Sequence, residues 1–178
     1  MSNSERPKRL LVTLAHYFDD AGNGYYGSTG ANAEPRISGL AATITAVHQL
    51  FGLQQSKLLN RKHRIFADVN EGQRYEIDLV VCTTGGKSLL DRLELPAGWF
   101  EERAGSVEGL LLPFECHAVL RERLGDYDYY CYMEDDLVIQ DPLFFAKLDW
   151  FNQQVGADAL LLPNRFELSI KESLAKLY

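Results

Sequence analysis

The chain has 178 residues, 46% hydrophobic and 24% charged, a composition that suits one globular domain with a sizeable core. Its formal net charge of −7 at pH 7 argues against a general binder of phosphate backbones, so nucleic acid is not an expected partner; a local basic pocket for one diphosphate stays compatible. Cys82, Cys116 and Cys131 show neither CxxC spacing nor an even count and read as reduced core residues, which with the lack of any Asn-x-Ser/Thr acceptor points to a cytoplasmic setting.

The N-terminal stretch has a basic flank, but its apolar run breaks at His16 after about six residues, too short for a signal-peptide core or a membrane span, so membrane insertion is not expected. Within it, residues 10–15, LLVTLA, read as the first buried strand of a parallel sheet and should lie centrally. A long Gly-rich loop follows and should face the ligand side. Residues 19–30 superficially resemble a calcium loop, but Ala21 and Gly30 stand where oxygen ligands are needed, which excludes an EF-hand. Residues 36–51 carry Ile37, Leu40, Ala41, Ile44, Val47, His48 and Phe51 at helical spacing, between Pro35 and Gly52. His48 reads as a half-buried, hydrogen-bonded histidine. Arg36, near the N-terminus of that helix, is unfavourable to the helix dipole unless an anion compensates, and a nucleotide diphosphate is one such anion; a solvated surface arginine is the competing reading.

Residues 53–74 are polar and basic, with a short strand or hairpin expected around 64–68 and Gly72 in a turn. Residues 77–84, IDLVVCTT, read as a second buried strand. The Gly85-Gly86-Lys87-Ser88 sequence after it is not a P-loop, because Val81 occupies the position of the first required glycine; Ser88 is expected to cap a short helix through Leu93. A loop-rich passage spans 96–113. Phe114, His117, Leu120, Arg121 and Leu124 then predict the inward face of a helix ending at Gly125. Residues 127–133 read as a buried strand, Asp141-Pro142 as the cap of a helix burying Phe144, Phe145, Leu148 and Phe151, and residues 159–163 as a further strand. A capping box at 169–172 should open a last helix with Leu174 and Leu177 inward. This alternation predicts an α/β, Rossmann-like fold: a predominantly parallel sheet with helices on both faces.

The chemistry concentrates where the tyrosine-rich strand meets Glu134, Asp135 and Asp136. Three adjacent carboxylates repel one another, and a hard divalent cation such as Mg2+ or Mn2+ is the simplest compensation; a solvated polar turn is the bland alternative. The run YMEDDLVIQDPLFFAKL resembles the metal-binding segment of GT-A-fold glycosyltransferases in its EDD form, and is similar in particular to that of the N-acetylglucosaminyltransferases of N-glycan synthesis. The resemblance covers about twenty residues. It implies a nucleoside-diphosphate sugar as donor, Mn2+ or Mg2+ as cofactor, Asp136 as the direct metal ligand, and Glu134 and Asp135 facing the ribose or donor sugar.

The nucleobase should fall near the ends of the first two strands, at Leu14, His16 and Thr83-Thr84, with Arg36 beside the diphosphate. The acceptor and its general base are not assignable. Only about forty residues follow the acids, fewer than the family's acceptor-binding part needs, so a single, C-terminally incomplete domain is expected, one that transfers sugar poorly alone and self-associates through uncovered sheet surface. A non-catalytic nucleotide- or metal-binding module is the alternative, and a metal-dependent nucleotidyl enzyme is disfavoured by the lack of Lys or Arg between His16 and Arg36.

Overall fold

The computed structural model describes residues 6–22, 27–53, 57–68, 74–167 and 176–177. The chain divides into two compact units, residues 1–142 and 143–178. In the first unit the order is β1 (Lys8–Ala15), α1 (Glu34–Phe51), a hairpin of β2 (Lys57–Asn60) and β3 (Ile65–Asp68), β4 (Tyr75–Thr84), β5 (Glu101–Gly105), α2 (Leu112–Glu122) and β6 (Tyr129–Glu134). Four of these strands form one parallel sheet in the order β5-β4-β1-β6, so β1 lies inside it as its apolar run requires.

The period-2 alternation of β1 splits the core into two layers. Leu11 joins Val80 and Cys82 on one face, where Leu112, Cys116 and Val119 of α2 cover them. Leu10, Val12 and Leu14 turn to the other face, and α1 covers that one with Leu40, Ile44, Val47 and Phe51, all buried. Phe51 meets Tyr75 edge to face at the start of β4. Helices on both faces of a parallel sheet make this the expected α/β, Rossmann-like fold.

Several elements differ from the expectation. Leu112, Cys116 and Val119 form the inward face of α2, whereas Phe114 is 66% and Leu124 67% exposed. The apolar residues are spread around this helix, and the sheet selected the other stripe. The passage 96–113 contains the edge strand β5, EERAG, whose charged sequence suits an edge and hides its pairing with β4. β6 is itself an edge strand with mostly half-buried side chains, not a fully buried one. The short helix after Ser88 is a single 3-10 turn, Leu90–Arg92, with the Leu90 N–H bonded to the Ser88 hydroxyl at 3.3 Å.

In the second unit, α3 (Phe144–Val155) ends at Gly156, which adopts a left-handed φ of 69°. Asp141 is not its N-cap: the helix starts after Leu143, and of the expected inward residues only Phe145 is fully buried. Residues 159–163 are not a strand, and Leu160 and Leu162 there are 86% and 80% exposed. Two short strands, β7 (Phe166–Glu167) and β8 (Lys176–Leu177), pair antiparallel. The capping box at 169–172 and Leu174 lie outside the described residues, as does Gly72.

Candidate functional site

The chain leaves β1, crosses by way of α1 to β4 on one side, continues outward to β5, and then returns to the other side of β1 as β6. The strand order therefore reverses between β1 and β6. In open α/β sheets that reversal opens a crevice at the carboxyl ends of the strands, where ligands bind. The register pairs Ala15 with Glu134, so His16 leaves β1 beside Asp135 as it leaves β6.

Asp135 is only 3% exposed, and its burial has a specific set of partners. One carboxylate oxygen contacts His16 Nδ1 at 2.5 Å, and the other accepts a bond from the Arg36 guanidinium. Its backbone carbonyl accepts from the Thr43 hydroxyl at 3.1 Å. The opposite ring nitrogen of His16, Nε2, accepts the Leu89 N–H at 3.0 Å, so it carries no proton, and the hydrogen lies on Nδ1, facing the carboxylate. Arg36 spans both acids, since its second terminal nitrogen reaches Asp136 Oδ2 at 2.9 Å. The anions that compensate Arg36 are thus the chain's own. Its Nε is buried without a hydrogen-bond partner among the described residues.

The four residues form a chain, His16–Asp135–Arg36–Asp136, that runs from the core to the surface. Asp136 is its exposed end, with 47% of its side chain accessible. Arg36 and Asp136 line a cleft of about 500 Å³ together with Gly27, Thr29, Gly30 and Asn32 of the Gly-rich loop. That loop is anchored at Asp19, whose N–H bonds Ser28 O at 3.0 Å and whose carbonyl accepts from Gly30 N at 2.9 Å. Lys87, just after the left-handed Gly85 and Gly86, reaches the Asp19 carboxylate at 2.6 Å. The ammonium holds the Asp19 carboxyl below its ordinary value, and Asp19 in turn raises Lys87.

Of the residues singled out in the sequence, His16, Arg36, Asp135 and Asp136 come together. Glu134 and Thr84 do not join them. Alternation along β6 turns Glu134 to the α2 face, away from Asp135. Thr84 is buried on that same face, its hydroxyl donating to the Val107 carbonyl. Three contributors escaped the sequence reading: Thr43, the Leu89 N–H, and Gly39, whose missing side chain faces Asp136, since a Cβ there would lie 3.6 Å from the Asp136 Cβ. A glycine at mid-helix is the one sequence signal that pointed to any of them.

Among the described residues no three His, Cys, Asp or Glu side chains converge as a ready metal cage. One exposed carboxylate at a cleft mouth nevertheless fits a hard cation that takes most of its oxygens from phosphates and water. No family model, no curated protein and no solved structure matches the chain.

Proposed function

We propose that the cleft walled by the Gly-rich loop, Arg36 and Asp136 binds the diphosphate of a nucleoside-diphosphate sugar together with Mn2+ or Mg2+, and that the chain is a glycosyltransferase domain of GT-A type. The observation that carries this reading is the placement of Asp136, the last acid of the EDD run, half exposed in a cleft at the topological switch point. Asp136 would hold the cation. A cation held there would supply Lewis-acid charge neutralisation to the diphosphate leaving group.

The chain's own residues have simpler roles in this reading. Arg36 lines the cleft with its guanidinium held by Asp135 and Asp136, which sets a fixed cationic edge beside a bound phosphate. Loop residues Thr29 to Asn32 line the opposite wall and give the sugar or phosphate a polar contact surface. Glu134, on the other face, is outside this set. A cytoplasmic setting agrees with the free thiols of Cys82, Cys116 and Cys131. No helix among the described residues is long and apolar enough to cross a membrane.

Titration calorimetry with uridine and guanosine diphosphates, with and without Mn2+, tests the reading. Binding should require the metal, disappear in Asp136→Ala, and survive in Glu134→Ala. Binding of equal strength without metal in all three proteins would sink it.

A further inference from the structure

The sequence resemblance sets Asp135 against the ribose or donor sugar, but its surroundings assign it a different task. Both carboxylate oxygens accept protein donors, the side chain is almost wholly buried, and among the described residues the hydrogen-bonded path from it to the cleft runs through Arg36. Each oxygen keeps spare acceptor capacity, but the side chain is so nearly enclosed that a ligand could reach it only by displacing Arg36 or His16, which would leave a buried charge-assisted bond broken. Geometry makes the path directional. His16 is fixed at its far nitrogen by the Leu89 N–H and at its backbone by the Cys82 carbonyl at 2.9 Å, so it offers Asp135 a rigid donor. Thr43 holds the Asp135 backbone from α1. Asp135, fixed on two sides, then fixes the guanidinium, and the planar fork of Arg36 transmits that orientation to Asp136.

We propose that Asp135 is a positioning residue that does not touch the donor: with His16 as its rigid support, it holds Arg36 so that the Asp136 carboxylate is preset at the mouth of the cleft. The proposal rests on the donor-site reading for its consequence, but the hydrogen-bonded relay is a property of the protein alone. Outer partners that orient a metal ligand typically change metal affinity by 10–100-fold when replaced, which sets the expected scale.

The test uses the full chain and two kinds of readout. In proton and nitrogen NMR of the ligand-free protein, His16 should show a strongly downfield Nδ1–H proton and an unprotonated Nε2. Asp135→Asn, which keeps the shape of the side chain, should move that proton upfield, and saturation of the wild type with Mg2+ and uridine diphosphate should leave it in place. Loss of the proton on adding ligand would overturn the proposal, because Asp135 would then have turned to the donor. In the second readout, Asp135→Asn and Arg36→Lys should each weaken Mn2+-dependent uridine diphosphate binding by about 10–100-fold. Arg36→Lys keeps the charge but not the fork, so it serves even if Asp135→Asn folds poorly. Unchanged affinity in both variants would overturn the positioning role. If the wild type binds neither uridine nor guanosine diphosphate with Mn2+, the donor reading fails, and the His16 proton alone decides the relay: its absence, or its indifference to Asp135→Asn, refutes it.

Discussion

Asp135 and Asp136 are neighbours in sequence with opposite fates, one enclosed and one presented, and the difference comes from partners that lie far away in the chain. Like-charge repulsion in the EDD run raised the stretch only as a candidate, and the resemblance to the GT-A metal-binding segment gave it weight. Repulsion alone could not say which acid is enclosed, because His16 and Arg36 lie 119 and 99 positions away, and it takes the β1–β6 register and the packing of α1 to bring them there. Burial acts on other titratable groups too. His48 stacks on Trp99, and its Nε2 lies 2.6 Å from the Trp99 carbonyl; desolvation lowers its pKa below the ordinary 6.5. A pKa lowered on folding means that His48 contributes stability at pH values above 6.5 and loses it as the pH falls through the lower folded value. Urea midpoints should therefore decline between pH 7 and pH 5, and decline less in His48→Gln; equal slopes would contradict this. Burial also pushes the Cys131 thiol up to about 11. Iodoacetamide at pH 8 should label the half-buried Cys131 more slowly than a free thiol by mass spectrometry, with labelling rising as the pH approaches 11; labelling at pH 8 as fast as that of a free thiol would contradict the raised value.

At the scale of elements, the strands β1 and β4 and the helix α1 were legible because their apolar patterns are unambiguous and are bounded by Pro35 and Gly52. α2 was legible as a helix but only partly in its phase: Leu120 does pack against the core, but Leu112, Cys116 and Val119 displace Phe114 and Leu124, and only the sheet decides between them. The phase is testable. Leu112→Ala should cost about 2–5 kcal/mol in chemical unfolding, as a buried leucine does, while Phe114→Ala should stay within about 0.5 kcal/mol. The reverse order would restore the face read from sequence. β5 was hidden because an edge strand may be charged on both faces, and the 159–163 run misled because five apolar residues in a row do not define a strand without a partner. In α1, Gly39 lies against Asp136 with room for one methyl group. Gly39→Ala should stabilise the helix by about 0.5–1 kcal/mol and leave metal-dependent nucleotide binding intact, whereas Gly39→Leu should displace Asp136 and weaken that binding. Equal binding in both variants would show that α1 does not set the position of the carboxylate.

At the scale of the molecule, the strand order supplies what the motif alone could not. An acidic run after a strand has many bland explanations, but here the run falls where the sheet reverses direction, opposite the N-terminal end of α1 and beside a cleft walled by the Gly-rich loop. The alternation of strands and helices made the fold class readable from sequence; the order in which the strands sit, and so the location of the crevice, depends on long-range pairing with no local signature. The central claim is that this crevice holds a metal and a nucleotide diphosphate at Asp136. It is tested most directly by anomalous diffraction from crystals of the protein grown with Mn2+ and uridine or guanosine diphosphate. One manganese peak is expected within coordination distance of Asp136, with the diphosphate between the Gly-rich loop and Arg36 and the His16–Asp135 pair undisturbed. A manganese peak at another part of the chain, or a diphosphate bound away from the β1–β6 crevice, would contradict it.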